Sequence, residues 1–269
     1  MAIIGLITDF GIQDEYVGLM KAVILGIDPA AVPVDLSHAV EPQNVVQAAF
    51  LLEATYRYFP AGSIHLIVVD PGVGTERAVL CLEANQQRFI APDNGVLSLL
   101  MDPPGTVSSL RRVDNPALWR PRVSPTFHGR DIMAPAVAHL SKGMDARELG
   151  PELNPAEVRV LDDLHARGSG DGGIQGRIVH IDRFGNLITN IDPALLQLSK
   201  GFSPDRPPAI HLGGRRIVGV CRTYGDVEAG RPLALVGSRG YLEIAVRCGN
   251  AQRYFGVRQG DAVGVRPVG

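Results

Sequence analysis

Residues 63–74 read SIHLIVVDPGVG. The run from Ser63 to Val69 is apolar apart from Ser63 and His65, and it is too short for a helix. It reads as a buried strand that ends in the turn Asp70-Pro71-Gly72. Polar, glycine-bearing turns at the carboxyl ends of buried strands are where open α/β sheets gather ligands. The same grammar occurs at the start of the chain, where IIGLIT (3–8) runs into Asp9-Phe10-Gly11.

Between and after these two turns the periodicity alternates. Tyr16 to Ile27 has apolar residues at helical spacing (Val17, Met20, Val23, Ile24, Ile27), with Asp14 placed as an N-cap. AVPVDLS (31–37) reads as a strand, and Val45 to Phe59 has a helical pattern. Val79–Leu82 and Phe89–Ala91 read as further strands, with a helix from Gly95 to Met101. Strands alternating with helices predict a three-layer α/β domain over residues 1–164.

HARGSGDGG (165–173) has linker chemistry. Beyond it the segments shorten: GRIVHID, NLITNI, AIHLG, RRIVGV, LALVGS and YLEIAV, each bounded by turn residues. That pattern predicts a second domain over 174–269, an antiparallel β-barrel.

Composition narrows the function classes. The 269 residues are 45% hydrophobic and 20% charged, with a net charge of −2. This is an ordinary globular composition that gives no electrostatic reason for a polyanionic partner. The basic stretch from Arg111 to Arg122 is interrupted by Asp114 and reads as a solvated surface, so no nucleic acid is expected. The N-terminus lacks a basic region and reaches Asp9 too early for a secretory signal. No run approaches the roughly 18 apolar residues of a membrane span. A cytoplasmic protein is expected. Cys81, Cys221 and Cys248 form no C-x-x-C pair and predict neither a disulfide framework nor a thiolate metal site. Cys81, inside AVLCLEA, reads as a buried, inert thiol.

Five polar clusters could carry chemistry, and each has a bland alternative. Asp9 could accept hydrogen bonds from a vicinal diol, or Asp9 and Asp14 could be turn and cap residues. Asp70 and Arg77 flank VDPGVGTER (69–77), which is neither a Walker A loop nor a dinucleotide fingerprint. They could pair within a site or merely on a surface. His128, in FHGRD (127–131), could be a base or a structural hydrogen-bonder. His139 does not complete an H-x-x-x-H pair with it, so no metal is expected. Asn186, in DRFGN (182–186), could read the edge of adenine or belong to a β-turn. Gly237 to Glu243 and Gly249 to Ala251 read as strand-and-turn glycine segments.

Their order is more informative than any one of them. TDFG-x-x-D-x-Y-V-G (8–18), VDPGVGT-x-R (69–77), APDNG (91–95), FHGRD (127–131), D-x-FGN-x-x-TN (182–190) and SRGYLEIA (238–245) follow one another along the whole chain. This set resembles the S-adenosylmethionine hydroxide adenosyltransferase family of S-adenosylmethionine (SAM) hydrolases, once described only as a domain of unknown function. Fluorinases and chlorinases are its relatives. The resemblance implies an N-terminal α/β domain, a C-terminal β-barrel and a homotrimer. The site would lie between the N-domain of one subunit and the C-domain of its neighbour.

It also implies residue roles. Asp9 would bind the ribose hydroxyls. Asp14 and Tyr16 would lie near the methionine end, with Asp182 and Ser238 holding its amino and carboxylate groups. Phe184, Asn186 and Tyr224 would surround adenine, completed by backbone near Asn250 and Ala251. Asp70, Arg77 and His128 match the triad associated with water activation. In the halogenases, tyrosines occupy the positions of Asp70 and His128, and a halide-binding serine or glycine follows the second. The fluorinase has a tryptophan where this chain has Gln43. Asp70, His128 and Gly129 together are the hydrolase pattern.

The implied reaction is hydrolysis of SAM to adenosine and methionine. The sulfonium makes C5′ electrophilic and leaves as a neutral thioether, so neither a metal nor a cofactor is called for. Either Asp70 or His128 could take the proton. A halogenase, a non-catalytic SAM or adenosine sensor, and a ligand-free scaffold are the alternatives.

Overall fold

In the computed structural model, which describes residues 2–102, 105–170, 172–198 and 207–268, the run Ile64–Val68 is an inner strand of a six-stranded sheet. The sheet comprises β1 (Ile3–Thr8), β2 (Val32–Ser37), β3 (Ile64–Val68), β4 (Val79–Ala84), β5 (Gln87–Pro92) and β6 (Val107–Arg112), in the order β2-β1-β3-β5-β4-β6. β2, β1, β3 and β5 run parallel, while β4 pairs antiparallel with both β5 and β6. The sheet belongs to one compact unit, Met1–Asp162; a second unit spans Asp163–Gly269.

The pleat sorts side chains to two faces. Ile4, Leu6, Leu66 and Val68 pack in one cluster with Met20 and Ile24 of α1 (Tyr16–Ile27). Met133, just before a helix we call α3 (Ala134–Ser141), and Val137 in its middle join it. Each such fully buried side chain contributes roughly 1.5–3 kcal/mol. The helix α2 (Val45–Thr55) precedes α3 in the chain and packs on β1. His65 points the other way from Leu66, stacks on Phe89 at 4.9 Å and bonds Gln87 through Nε2 at 2.6 Å. The mixed sheet with helices is the expected architecture.

One register relationship positions the chemistry. β1 and β3 run parallel with Thr8 opposite Val68. The polar turns that begin at Asp9 and Asp70 therefore leave the sheet side by side at its carboxyl edge.

Several local expectations change. Gly95–Met101 holds only a short 3₁₀ turn, Ser98–Leu100, because Ser98 Oγ bonds the Gly95 carbonyl and Asn94 Nδ2 bonds that of Val69. Asp14 does not cap α1; the cap position is Glu15, and no side chain bonds the helix there. β6 was not anticipated and carries Arg111, which pairs with Glu152 at 3.0 Å. Arg112, Arg120 and Arg122 are exposed, as a solvated basic stretch should be.

In the second unit, Arg167–Gly168 (β7) lies inside the glycine-rich stretch and pairs with β8 (Ile174–Ile181). Asp171 of that stretch lies outside the described residues. The remaining elements are β9 (Leu187–Thr189), α4 (Pro193–Leu198), β10 (Pro208–Leu212), β11 (Arg215–Val218), β12 (Pro232–Val236), β13 (Leu242–Val246), α5 (Ala251–Phe255) and β14 (Ala262–Pro267). The antiparallel order is β11-β10-β14-β8-β9-β13-β12. The Cys221 amide bonds the Ala234 carbonyl at 2.7 Å, drawing the two ends of that order together. The result is the expected barrel, nearly closed around Ile178, Leu187, Ile210, Leu242, Ile244 and Val263.

All three cysteines are free, and burial pushes the Cys81 thiol up to about 12, as expected for an inert group. Among the described residues no helix is long and apolar enough to cross a membrane.

Candidate active site

The first unit carries a cavity of about 420 Å³ at the sheet's carboxyl edge, lined among others by Asp9, Tyr16, Gln43, Asp70 and His128. Phe10, Tyr16 and Phe127 form an aromatic wall, with ring centroids 5.3–5.7 Å apart. Asp9 is held in place by the Gln43 amide, which donates to Oδ2 at 2.8 Å. Gln43 has φ +67°, an uncommon conformation for a residue with a side chain. Such strain clusters at ligand sites. Asp14 is exposed and lies outside the lining.

Behind the cavity, Arg77 grips Asp70 with two nitrogens. Nη2 lies 2.5 Å from Oδ2, and Nε lies 3.1 and 3.0 Å from Oδ1 and Oδ2. Both side chains are only 6% exposed, so water screens the pair little. Two glycines make room for this packing. A Cβ on Gly72 would come within 3.2 Å of Arg77 Cγ, and one on Gly74 (φ +80°) within 2.5 Å of the Pro125 carbonyl oxygen.

Arg77 Nη2 also lies 2.9 Å from His128 Nδ1. A guanidinium only donates, so Nδ1 accepts and the neutral imidazole carries its proton on Nε2. Burial, and then the charge of Arg77, lower the pKa of His128; Asp70 and Asp131 oppose them. His128 leads directly into a π-turn, Gly129–Met133, a local widening common at functional sites. Gly129 packs on Val68 with no space for a Cβ. Asp131 is fully buried and anchors the turn, bonding Arg130 at 2.7 and 2.8 Å and the Ser124 amide at 2.9 Å.

The second unit carries its own cavity of about 590 Å³, lined in part by Ile188 of β9 and Glu243 of β13. Asp182, Phe184, Asn186, Tyr224 and Ser238 all line it. Asp182 Oδ1 accepts from the amides of Phe184 (2.9 Å) and Asn186 (2.8 Å), and Oδ2 accepts from Asn186 Nδ2 (3.0 Å). The carboxylate thus builds the turn that displays Phe184, a residue that is 75% exposed. Asn250 and Ala251 stand behind the wall rather than in it. The Asn250 side chain caps α5 by accepting from the Arg253 amide at 2.8 Å, and Ala251 is fully buried in the barrel core. The neighbouring Cys248 and Gly249 do line the cavity.

Reading the sequence missed Glu243 and Arg239 as wall residues. Both sit in SRGYLEIA, but nothing in that string marks a glutamate on a strand as facing a pocket. Burial raises the Glu243 pKa and lowers that of Arg239. Burial, and then the charge of Arg239, lower the pKa of His180 to about 4. Among the described residues, no group of three or more His, Cys, Asp or Glu is arranged to hold a metal ion.

Comparison with known proteins agrees along the whole chain. Residues 4–150 match the SAM hydroxide adenosyltransferase N-terminal domain, and residues 176–264 match the C-terminal domain. The chain is 40% identical to the (R)-S-adenosyl-L-methionine hydrolase of Thermus thermophilus, covering 96% of each. It is 32% identical to the enzyme of the same name from Methanocaldococcus jannaschii, over 97% of this chain and 94% of that one. A fluorinase of an Actinoplanes species is more distant, at 28% identity over 90% of each. The crystal structure of an uncharacterized conserved protein from Thermotoga maritima superposes with a TM-score of 0.90 at 37% identity, covering 98% of this chain and 99% of that one.

Proposed function

This chain belongs to the SAM hydroxide adenosyltransferase family, and we propose that it hydrolyses S-adenosyl-L-methionine to adenosine and L-methionine. The observation that carries the mechanism is Arg77, which donates to Asp70 and His128 at once.

Water attacks C5′ of the ribose from the side opposite sulfur. The new C5′–O bond forms as the C5′–S bond breaks, and its electron pair stays on sulfur. Methionine leaves as a neutral thioether, so no acid, metal or cofactor is required at the leaving group. Holding the water in line can supply on the order of 7–11 kcal/mol. The tautomer divides the labour between the two pocket residues. His128 Nε2–H donates to the water oxygen and aims it, while the Asp70 carboxylate accepts the proton as attack proceeds. Arg77 locks both partners and stabilises the hydroxide character that develops. An anionic Asp70 at the nucleophile position also repels halide, which favours hydrolysis over halogenation.

Asp9 takes the ribose hydroxyls, with Tyr16 and the more distant Asp14 toward the methionine end. Phe184, Asn186 and Tyr224 enclose adenine with the backbone near Asn250 and Ala251, and Asp182 and Ser238 take the amino acid. On this reading the N-terminal domain (1–164) supplies the chemistry, and the C-terminal domain (174–269), beyond the 165–173 linker, supplies recognition. The two half-sites are completed between neighbouring copies in a homotrimer. The support is that Phe184, Tyr16 and Tyr224 are all large aromatic groups left exposed within one chain. The reading places the enzyme in the cytoplasm with its substrate.

The test is incubation of chelator-treated protein with SAM and chromatography of the products. Stoichiometric adenosine and methionine, lost in Asp70→Ala, are expected. SAM bound but intact would instead make the protein a sensor.

A further inference from the structure

Glu243 is a buried carboxyl group that the mechanism above does not use. It lies on β13, is 6% exposed, and contributes to the wall of the second unit's cavity. Its niche is built. A Cβ on Gly237 would come within 2.3 Å of Glu243 Oε2, so the carboxyl lies directly against the backbone of that glycine. Its other oxygen, Oε1, accepts from the Tyr224 hydroxyl at 2.5 Å.

Tyr224 needs such an anchor. It sits in a one-turn 3₁₀ segment, Tyr224–Asp226, and its side chain is about half exposed. The turn itself is fixed by a reciprocal cap between Thr223 and Asp226. That cap sets the backbone but leaves the ring free to rotate about its own side-chain bonds. The bond to Glu243 removes that freedom and ties the hydroxyl to β13, on the face of the strand opposite the core residues Leu242 and Ile244.

We propose that Glu243 is a positioning residue that holds the Tyr224 ring as a preformed wall for the adenine base. The inference rests on reading this cavity as the adenosyl half-site. With its hydroxyl committed to Glu243, Tyr224 offers the ligand an apolar face and not a polar tip. It contributes stacking area and no hydrogen bond. Ordering the ring before the ligand arrives lowers the entropic cost of binding. The effect therefore falls on affinity, while the nucleophile in the other unit is untouched.

The test compares full-length wild type with E243L, E243Q, Y224F and the Y224F/E243L double variant, each checked for folding by circular dichroism. KM and kcat for SAM and the inhibition constant for adenosine are measured. E243L and Y224F should each raise KM and the adenosine constant by about tenfold, with kcat within about twofold of wild type. The double variant should be no worse than either single one, because both break the same link. E243Q, whose amide oxygen still accepts, should recover most of the loss. Multiplying effects in the double variant, or a fall in kcat at unchanged KM, would overturn the proposal. Ultraviolet titration of the phenols gives a readout independent of turnover. One of the six tyrosines should ionise at a lower pH in E243Q than in wild type, and no difference would refute the link. Absence of adenosine formation by wild type would sink the hydrolase reading alone, since the phenol titration tests the link without it.

Discussion

Arg77 and His128 face each other across 2.9 Å with the guanidinium as the only possible donor. Protonating His128 would put a second donor, and a second positive charge, into that contact. The imidazole must therefore stay neutral for the triad to keep its shape.

This sets the acid side of the pH profile. The lowered pKa of His128 means that the neutral form persists below the ordinary value of about 6.5. kcat/KM should be level from pH 8 to about 6.5 and fall only on further acidification. A midpoint above about 7 would contradict the Arg77–His128 arrangement.

The tautomer separates a donor from a base. Glutamine at 128 can present an amide N–H where Nε2–H stands, but it cannot take a proton. His128→Gln should retain activity within about tenfold of wild type, with His128→Ala about a hundredfold down. Equal loss in both variants, measured as kcat, would restore His128 as the base.

Asp70→Asn keeps the shape of the carboxylate and removes its basicity. Its kcat should fall by roughly 10²–10⁴ with little change in KM. Arg77→Lys should lose much of the rate too, because an ammonium cannot grip Asp70 with two nitrogens while reaching His128. Single-turnover kinetics would separate both effects from substrate binding.

If neighbouring copies complete the site, two impaired variants should rescue each other at SAM concentrations well below the wild-type KM. Asp70→Ala damages the first unit's cavity, and Phe184→Ala damages the second's. Unfolding and refolding an equal mixture should regain more activity than the sum of the two variants refolded separately. No regain, with trimers present by light scattering, would place both halves within one chain.

Gly74→Ala should be costly to the fold itself. Position 74 has φ +80°, and an added Cβ would meet the Pro125 carbonyl oxygen at 2.5 Å. A loss of about 2–4 kcal/mol is expected in denaturant unfolding. The loop that carries His128 shares that contact, so activity should fall in parallel.

Much of this was legible in the sequence for a specific reason. β1 and β3 are largely apolar runs, interrupted in β3 only by His65, and the turns after them carry polar residues that a mere loop would not need together. The barrel announced itself through short β-rich segments between glycines. α3 was hidden because Ala134–Ser141 is only eight residues long and carries a proline at its second position, directly after a π-turn. Asp14 looked like a cap because of its spacing, yet the helix begins without any side-chain cap. Glu243 and Gln43 act through long-range contacts, one with Tyr224 and one with Asp9. Such partners, 19 and 34 residues away, leave no local pattern to read.

The register that sets Thr8 opposite Val68 has an evolutionary consequence. On the proposed mechanism, Asp9, which would grip the sugar, and Asp70, which would take the proton, stand on adjacent but separately encoded turns. Lineages could exchange one attacking species for another by altering the turn after β3 and the loop around residue 128. The turn after β1 could remain untouched, and with it the sugar contact proposed for Asp9. Such an arrangement permits the chemistry to diverge while the substrate contacts are kept.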